Sequence, residues 1–145
     1  MAAATVDDLA DVVGRLRAPA TLGDLSQLLV TVDRLNALAS GAVASLDEAG
    51  VWAETGATSM RSWVRTSTRC TDRHAGEVTR TAAGLRSLPA TRAAWESGRL
   101  SGGHVEAIRR IIPARHRALY AEHEAALVDD LARLDVRDTV TALRV

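Results

Sequence analysis

LGDLSQLLVTVDRLNALASGAVASLDEAG, residues 22–50, is the stretch that decides the fold. Apolar side chains recur at three- and four-residue spacing through Leu25, Leu28, Leu29, Val32, Leu35, Leu38, Ala39, Ala42, Val43 and Leu46. That is the period of a helix and not the alternation of a half-buried strand. No proline interrupts the run, and Gly50 stands where a left-handed C-cap would end it. The pattern predicts one long helix, Leu22 to Ala49, with an apolar stripe broad enough to exceed a single intramolecular partner.

The rest of the chain agrees with a helical reading. Alanine and leucine dominate, phenylalanine is absent, and Trp52, Trp63, Trp95 and Tyr120 are the aromatics. Strands usually draw on β-branched and aromatic residues, so this palette favours helix. Upstream, Val6, Leu9, Val13 and Leu16 predict a short helix within residues 5–17, closed by Ala18-Pro19-Ala20. Downstream, Val51 to Ala57 reads as a loop, and Thr58 or Ser59 caps a helix through Trp63 and Val64. Thr71 caps the next, with Ala75, Val78, Ala82 and Leu85 inward. Pro89 opens a helix that Gly98 closes, and Ser101 opens another through Ile112. Pro113 precedes an expected long helix to about Leu134, and Asp135 caps a last segment, Val136 to Val145. No strand is expected. The predicted fold is an all-α multi-helix bundle with long outer helices and a central helix-turn-helix-like group of short ones. It divides into residues 1–21, a short helix and linker, and a helical domain over 22–145. The last helix runs out at Val145 without a terminator, so a longer parent protein is expected.

Charge is distributed unevenly. The chain of 145 residues has a formal net charge of zero, yet residues 61–117 hold twelve arginines against four acids, a local +8. Residues 1–60 carry −5 and residues 118–145 carry −3. A basic centre between acidic arms points towards a polyanion. Lysine is absent; codon usage in a GC-rich genome accounts for that more simply than function does. Arginine nonetheless suits phosphate and guanine by its forked geometry.

The order short helix, tight turn, second helix is that of a helix-turn-helix. Residues 59–66 would support, 67–71 turn and 72–86 read. The reading face would show Arg73, His74, Glu77, Arg80 and Thr81 to base edges and phosphates, with Arg61, Arg65 and Arg69 gripping the backbone. The candidate DNA-binding set is therefore Arg61, Arg65, Arg69, Arg73, His74 and Arg80. The competing reading is structural: Arg73, Glu77 and Arg80 have the spacing of a surface ion-pair ladder, and paired helices occur in many bundles that bind nothing.

Leu88-Pro89, Trp95, Gly98-Arg99-Leu100-Ser101 and His104 resemble the segment that follows the helix-turn-helix in ParB-type partition proteins. Over most of the chain a closer likeness appears. Trp52, Gly56-Ala57-Thr58-Ser59, Trp63, Ala75, Ala82, Leu85, Leu88-Pro89-Ala90, Ala93-Ala94, Gly98, Leu100-Ser101 and His104 resemble the actinobacterial 13E12-repeat family, the domain of unknown function 222. The resemblance spans roughly residues 25–145. It implies a DNA-associated protein whose helical front domain positions an HNH endonuclease module. The chain itself lacks the His-Asn-His arrangement, so no catalytic residue is carried over. Any divalent metal would belong to that separate module, and no cofactor is expected here.

The remaining reactive side chains read as structural. His116 and His123 are seven apart, too far to ligate one ion from a straight helix, and a metal site needs three or four ligands. His104 falls in a first helical turn and reads as a capping or packing residue. Trp63 and Trp95 read as core anchors, and Trp52 as packing. Cys70 is alone, which excludes an intramolecular disulfide and fits a reducing compartment. Acids near the N-terminus argue against a signal peptide, and no uncharged run reaches membrane-spanning length, so a cytoplasmic protein is expected. Two functions stay open: a non-catalytic DNA-binding or DNA-positioning module, and a helical oligomerisation or protein-interaction module. A homodimer, its acidic arms against another copy's basic centre, is compatible with both.

Overall fold

A computed structural model describes residues 2–144; Met1 and Val145 lie outside the described residues. Nine α-helices and no strand occur among the described residues. Helix α1, Val6–Arg15, opens on a capping box: Thr5 Oγ1 accepts from the Asp8 amide at 3.2 Å, and Asp8 accepts from the Thr5 amide at 2.8 Å. Those bonds, the backbone one first, hold the Asp8 carboxyl below its ordinary range. None of α1 is buried.

Helix α2 runs Leu22–Ala49, as its period predicts, from a Thr21 cap to Gly50 at φ 68°. The buried face is a different matter. Ala37, Ser40 and Ala44 are its buried residues, whereas Leu25, Leu29, Val32, Leu38 and Leu46 are exposed. At ~100° per residue the leucine stripe lies roughly 140° round the helix from the face that packs. Small side chains let α4 and α5 come close, and Gly41 faces Glu96 and Arg92 of α5. Polar tethers fix the register. Arg34 Nε donates to the Glu96 carbonyl at 3.0 Å, and Arg86 donates to the Ala44 carbonyl at 3.1 Å. Asp33 accepts from Trp95 Nε1 at 3.2 Å and from the Gly102 amide at 2.9 Å.

Residues Val51–Thr55, expected as plain loop, form a 3-10 turn that ends at Gly56, φ 84°. Helices α3 (Met60–Thr68) and α4 (Asp72–Leu85) follow, capped by Ser59 and Thr71. Helix α5 (Pro89–Ser97) ends at Gly98, and α6 (Gly102–Ile111) starts from Ser101. The long helix expected after Pro113 is broken. A 3-10 turn at Ala114–His116 leads into α7 (Arg117–Glu122), and His123, at φ −109° and ψ 13°, separates α7 from α8 (Glu124–Leu131). The break sets α8 against α5, while α9 (Val136–Leu143) packs on α6.

That break supplies a missing cap. Helix α5 has no side-chain cap of its own, and the buried Glu124 accepts the Thr91 amide at 2.5 Å. Tyr120 hydrogen-bonds the Thr91 hydroxyl at 3.1 Å. Burial, with Glu124 nearby, pushes the Tyr120 phenol up despite that bond. The main core gathers Leu85, Trp95, Leu100, Val105, Ile108 and Leu131 among its members. A smaller cluster of Met60, Val64 and Ala75, with Trp52 and Trp63 against it, holds α3 to α4.

Candidate nucleic-acid interface

Helices α3 and α4 are joined by three residues, Arg69–Thr71, because α3 continues through Thr68 where the sequence suggested a turn. Arg69 takes φ 58°, the left-handed position that glycine usually fills in such turns. Ala75, Ala82 and Leu85 are buried and Val78 half-buried, so α4 turns the expected face inward. Arg73, His74, Glu77 and Arg80 are exposed on the other side, with Thr81 half-buried.

The six proposed DNA-contacting residues separate by their partners. Arg61 forks onto Asp72, with Nε at 3.1 Å and Nη2 at 2.6 Å, and Arg65 reaches the same carboxylate at 3.9 Å. Gly76 makes room for this: a Cβ there would lie 2.9 Å from Arg61 Cζ. These two arginines therefore brace the start of α4. Arg73 pairs with Glu77 at 3.5 Å across exposed surface, a contact worth little. His74 lies in the first turn, where its amide meets the Thr71 hydroxyl at 3.1 Å. Among the described residues, Arg69 and Arg80 pair with no carboxylate.

Arg80 instead lines a cleft between α4 and α6. Arg73, Glu77 and Arg80 form one wall and Glu106, Arg109 and Arg110 the other. Each acid already has an arginine one turn along, since Arg110 meets Glu106 at 3.4 Å as Arg73 meets Glu77. Arg80 and Arg109 are left with no carboxylate partner among the described residues. Arg109 Nε is also buried without an acceptor, while its stem packs near Gly84. A buried donor with nothing to bond is costly.

Arg109 and Arg110 were not in the set drawn from the sequence. They lie inside the basic stretch, but nothing in the sequence says that α6 runs beside α4. Seven of the twelve arginines are in ion pairs, and two reach the acidic arms: Arg86 to Asp47 at 3.7 Å and Arg99 to Asp129 at 2.6 Å. The arms thus answer part of the basic centre within the same chain.

His104 is structural. Its Nε2 donates to the Leu134 carbonyl at 2.7 Å, which leaves Nδ1 to accept from the Ser101 amide at 3.1 Å. Trp95 is a buried core anchor, as expected, and Trp52 donates to Asp47 at 3.1 Å.

Fold and cleft together define a class: an all-helical domain that presents an arginine-lined groove beside a helix-turn-helix-like pair. The model of a family described as Domain of unknown function (DUF222) matches residues 22–142, most of the chain. The chain belongs to that family. The match starts at the first residue of α2 and ends within α9, leaving α1 outside. No curated protein and no solved structure matches the chain.

Proposed function

We propose that this domain binds duplex DNA through its phosphate backbone and contributes positioning, not catalysis. The observation that carries the reading is the pair Arg80 and Arg109, which line one cleft from α4 and α6 with no carboxylate partner among the described residues. Arg73, His74 and Arg80 lie along one exposed face of α4, and Arg69 marks its approach. Arg61 and Arg65 act indirectly, by holding Asp72 and the first turn of α4. In the context that the family resemblance implies, an HNH endonuclease module carries the chemistry elsewhere and this domain sets where it acts. Such a role belongs in the cytoplasm; no described helix is long and apolar enough to cross a membrane.

Counterion release gives the test. Anisotropy of a labelled duplex, titrated at several salt concentrations, should give an affinity that falls steeply with salt. Arg80→Ala with Arg109→Met should reduce the logarithmic salt slope by roughly 1.8, about 0.9 per lost phosphate. No binding at low salt, or a slope the double variant leaves unchanged, would reject the proposal.

A further inference from the structure

The exposed side of α2 has a regularity of its own. Leu25, Leu28, Val32 and Leu35, then Ala39, Ala42 and Leu46, alternate three- and four-residue steps without a break. That 3.5-residue period is the seam of a coiled coil, narrower than the stripe of a helix packed on a globular core. Helix α1 repeats it with Val6, Leu9, Val13 and Leu16, and its apolar face borders a groove along the first half of α2. The small residues opposite, Ala37, Ser40 and Ala44, are already committed to the core. The seam therefore points away from α4 and its cleft.

We infer that this seam is the interface with a second copy of the chain, packed antiparallel about a two-fold axis near Leu35. Two features select that occupant. The first is area. On the seam itself Leu25, Val32 and Leu46 are 41–45% exposed, and Val6, Leu9, Val13 and Leu16 of the α1 stripe are 39–80% exposed. With the exposed Ala39 and Ala42 they present roughly 700 Å² of apolar surface, above the ~300–600 Å² of a typical monomer's largest patch and close to the ~800 Å² per partner of a standard interface. The second is shape. Antiparallel pairing about Leu35 sets Leu28 against the partner's Ala42 and brings Val32 beside the partner's Ala39, large against small, while Leu35 meets its own copy and Leu25 and Leu46 close the two ends. The seam can therefore face itself, as a two-fold contact requires. Both α4–α6 clefts remain open in such a dimer, an arrangement that suits two half-sites.

Sedimentation equilibrium of the intact chain, from one to a hundred micromolar (~1–100 µM), tests the state. The dimer should predominate at the upper end. Val32→Glu with Leu46→Glu should weaken it at least about a hundredfold, because each buries an unpaired carboxylate. Both sites are 45% exposed, so the helical circular dichroism should be unchanged. Geometry is tested separately in a Cys70→Ser background. Leu35→Cys should form a symmetric disulfide on mild oxidation, whereas two Leu25→Cys sites, ~30 Å apart, should not. A monomer at every concentration, with the seam left to some other protein, overturns the inference. So does a dimer indifferent to the glutamates, or one that cross-links through Leu25→Cys and not Leu35→Cys.

Discussion

Replacing Arg109 by methionine should raise stability and lower DNA affinity together. The Arg109 Nε atom is buried with no acceptor, and its aliphatic stem lies against α4, where a Cβ at Gly84 would be 3.4 Å from Cδ. Methionine keeps much of that packing and removes the unanswered donor. An unsatisfied buried donor costs ~1–3 kcal/mol. Because the guanidinium borders an open cleft, the lower end applies, and a gain of about 1 kcal/mol corresponds to roughly 3 °C in Tm for a chain of this size. On the proposed reading the same substitution deletes one phosphate contact. If that contact acts by counterion release, the logarithmic salt slope falls by about 0.9 and affinity at ~50 mM salt drops roughly tenfold. Thermal circular dichroism and duplex anisotropy read the two effects on one preparation. A lowered Tm with an unchanged salt slope would refute the reasoning, because Arg109 would then be a packing residue and the cleft no anion site.

Three further outcomes follow from contacts elsewhere. Asp33→Ala removes the acceptor for the Gly102 amide and for Trp95 Nε1; a lost cap and an orphaned indole together cost ~2–3 kcal/mol, or roughly 6–10 °C in thermal melts, with Asp33→Asn losing less. Arg69→Gly relieves the left-handed backbone at φ 58° and should stabilise by ~0.5–1 kcal/mol in urea unfolding, while Arg69→Ala should not. Tyr120 is the sole tyrosine, so phenolate absorbance reports it alone. Its midpoint should lie above 10 in the folded protein and return to ~10 in denaturant. Since the fold favours the protonated phenol, its linked stability is intact below pH ~10 and declines as pH rises through the folded value. A folded midpoint at or below 10 would contradict the buried Thr91–Tyr120–Glu124 arrangement.

Helix boundaries were largely legible because they are written in local chemistry. Thr21, Ser59, Thr71, Ser101 and Asp135 each accept a first-turn amide, and Gly50 and Gly98 adopt the left-handed caps their positions suggest. The interruption at His123 was not legible, since no breaking residue marks it. It is associated with a tertiary contact, the buried Glu124 on the α5 amide. Facing was also hidden wherever the largest apolar side chains do not go inward. On α2 a hydrophobic count selects the leucines, yet close helix packing and the Asp33 and Arg34 tethers select alanine, serine and glycine.

The same distinction governs the charge. A surplus of eight over residues 61–117 counts arginines without asking what opposes each one. Within the fold seven of the twelve are paired with carboxylates, Arg61 and Arg65 among them on Asp72. Of the five with no carboxylate among the described residues, Arg69, Arg80, Arg109, Arg115 and Arg117, only Arg80 and Arg109 line the α4–α6 cleft, where both nearby acids already have partners. Four guanidinium groups against two carboxylates leave the cleft a local surplus of positive charge, and clefts concentrate potential in a way that scattered surface charge does not. On the proposed reading its ligand is an anion with oxygens spaced to meet two guanidinium groups from opposite sides, and a backbone phosphate meets that description. The α2 seam, facing the other way, would let two such clefts act on one duplex without either being covered.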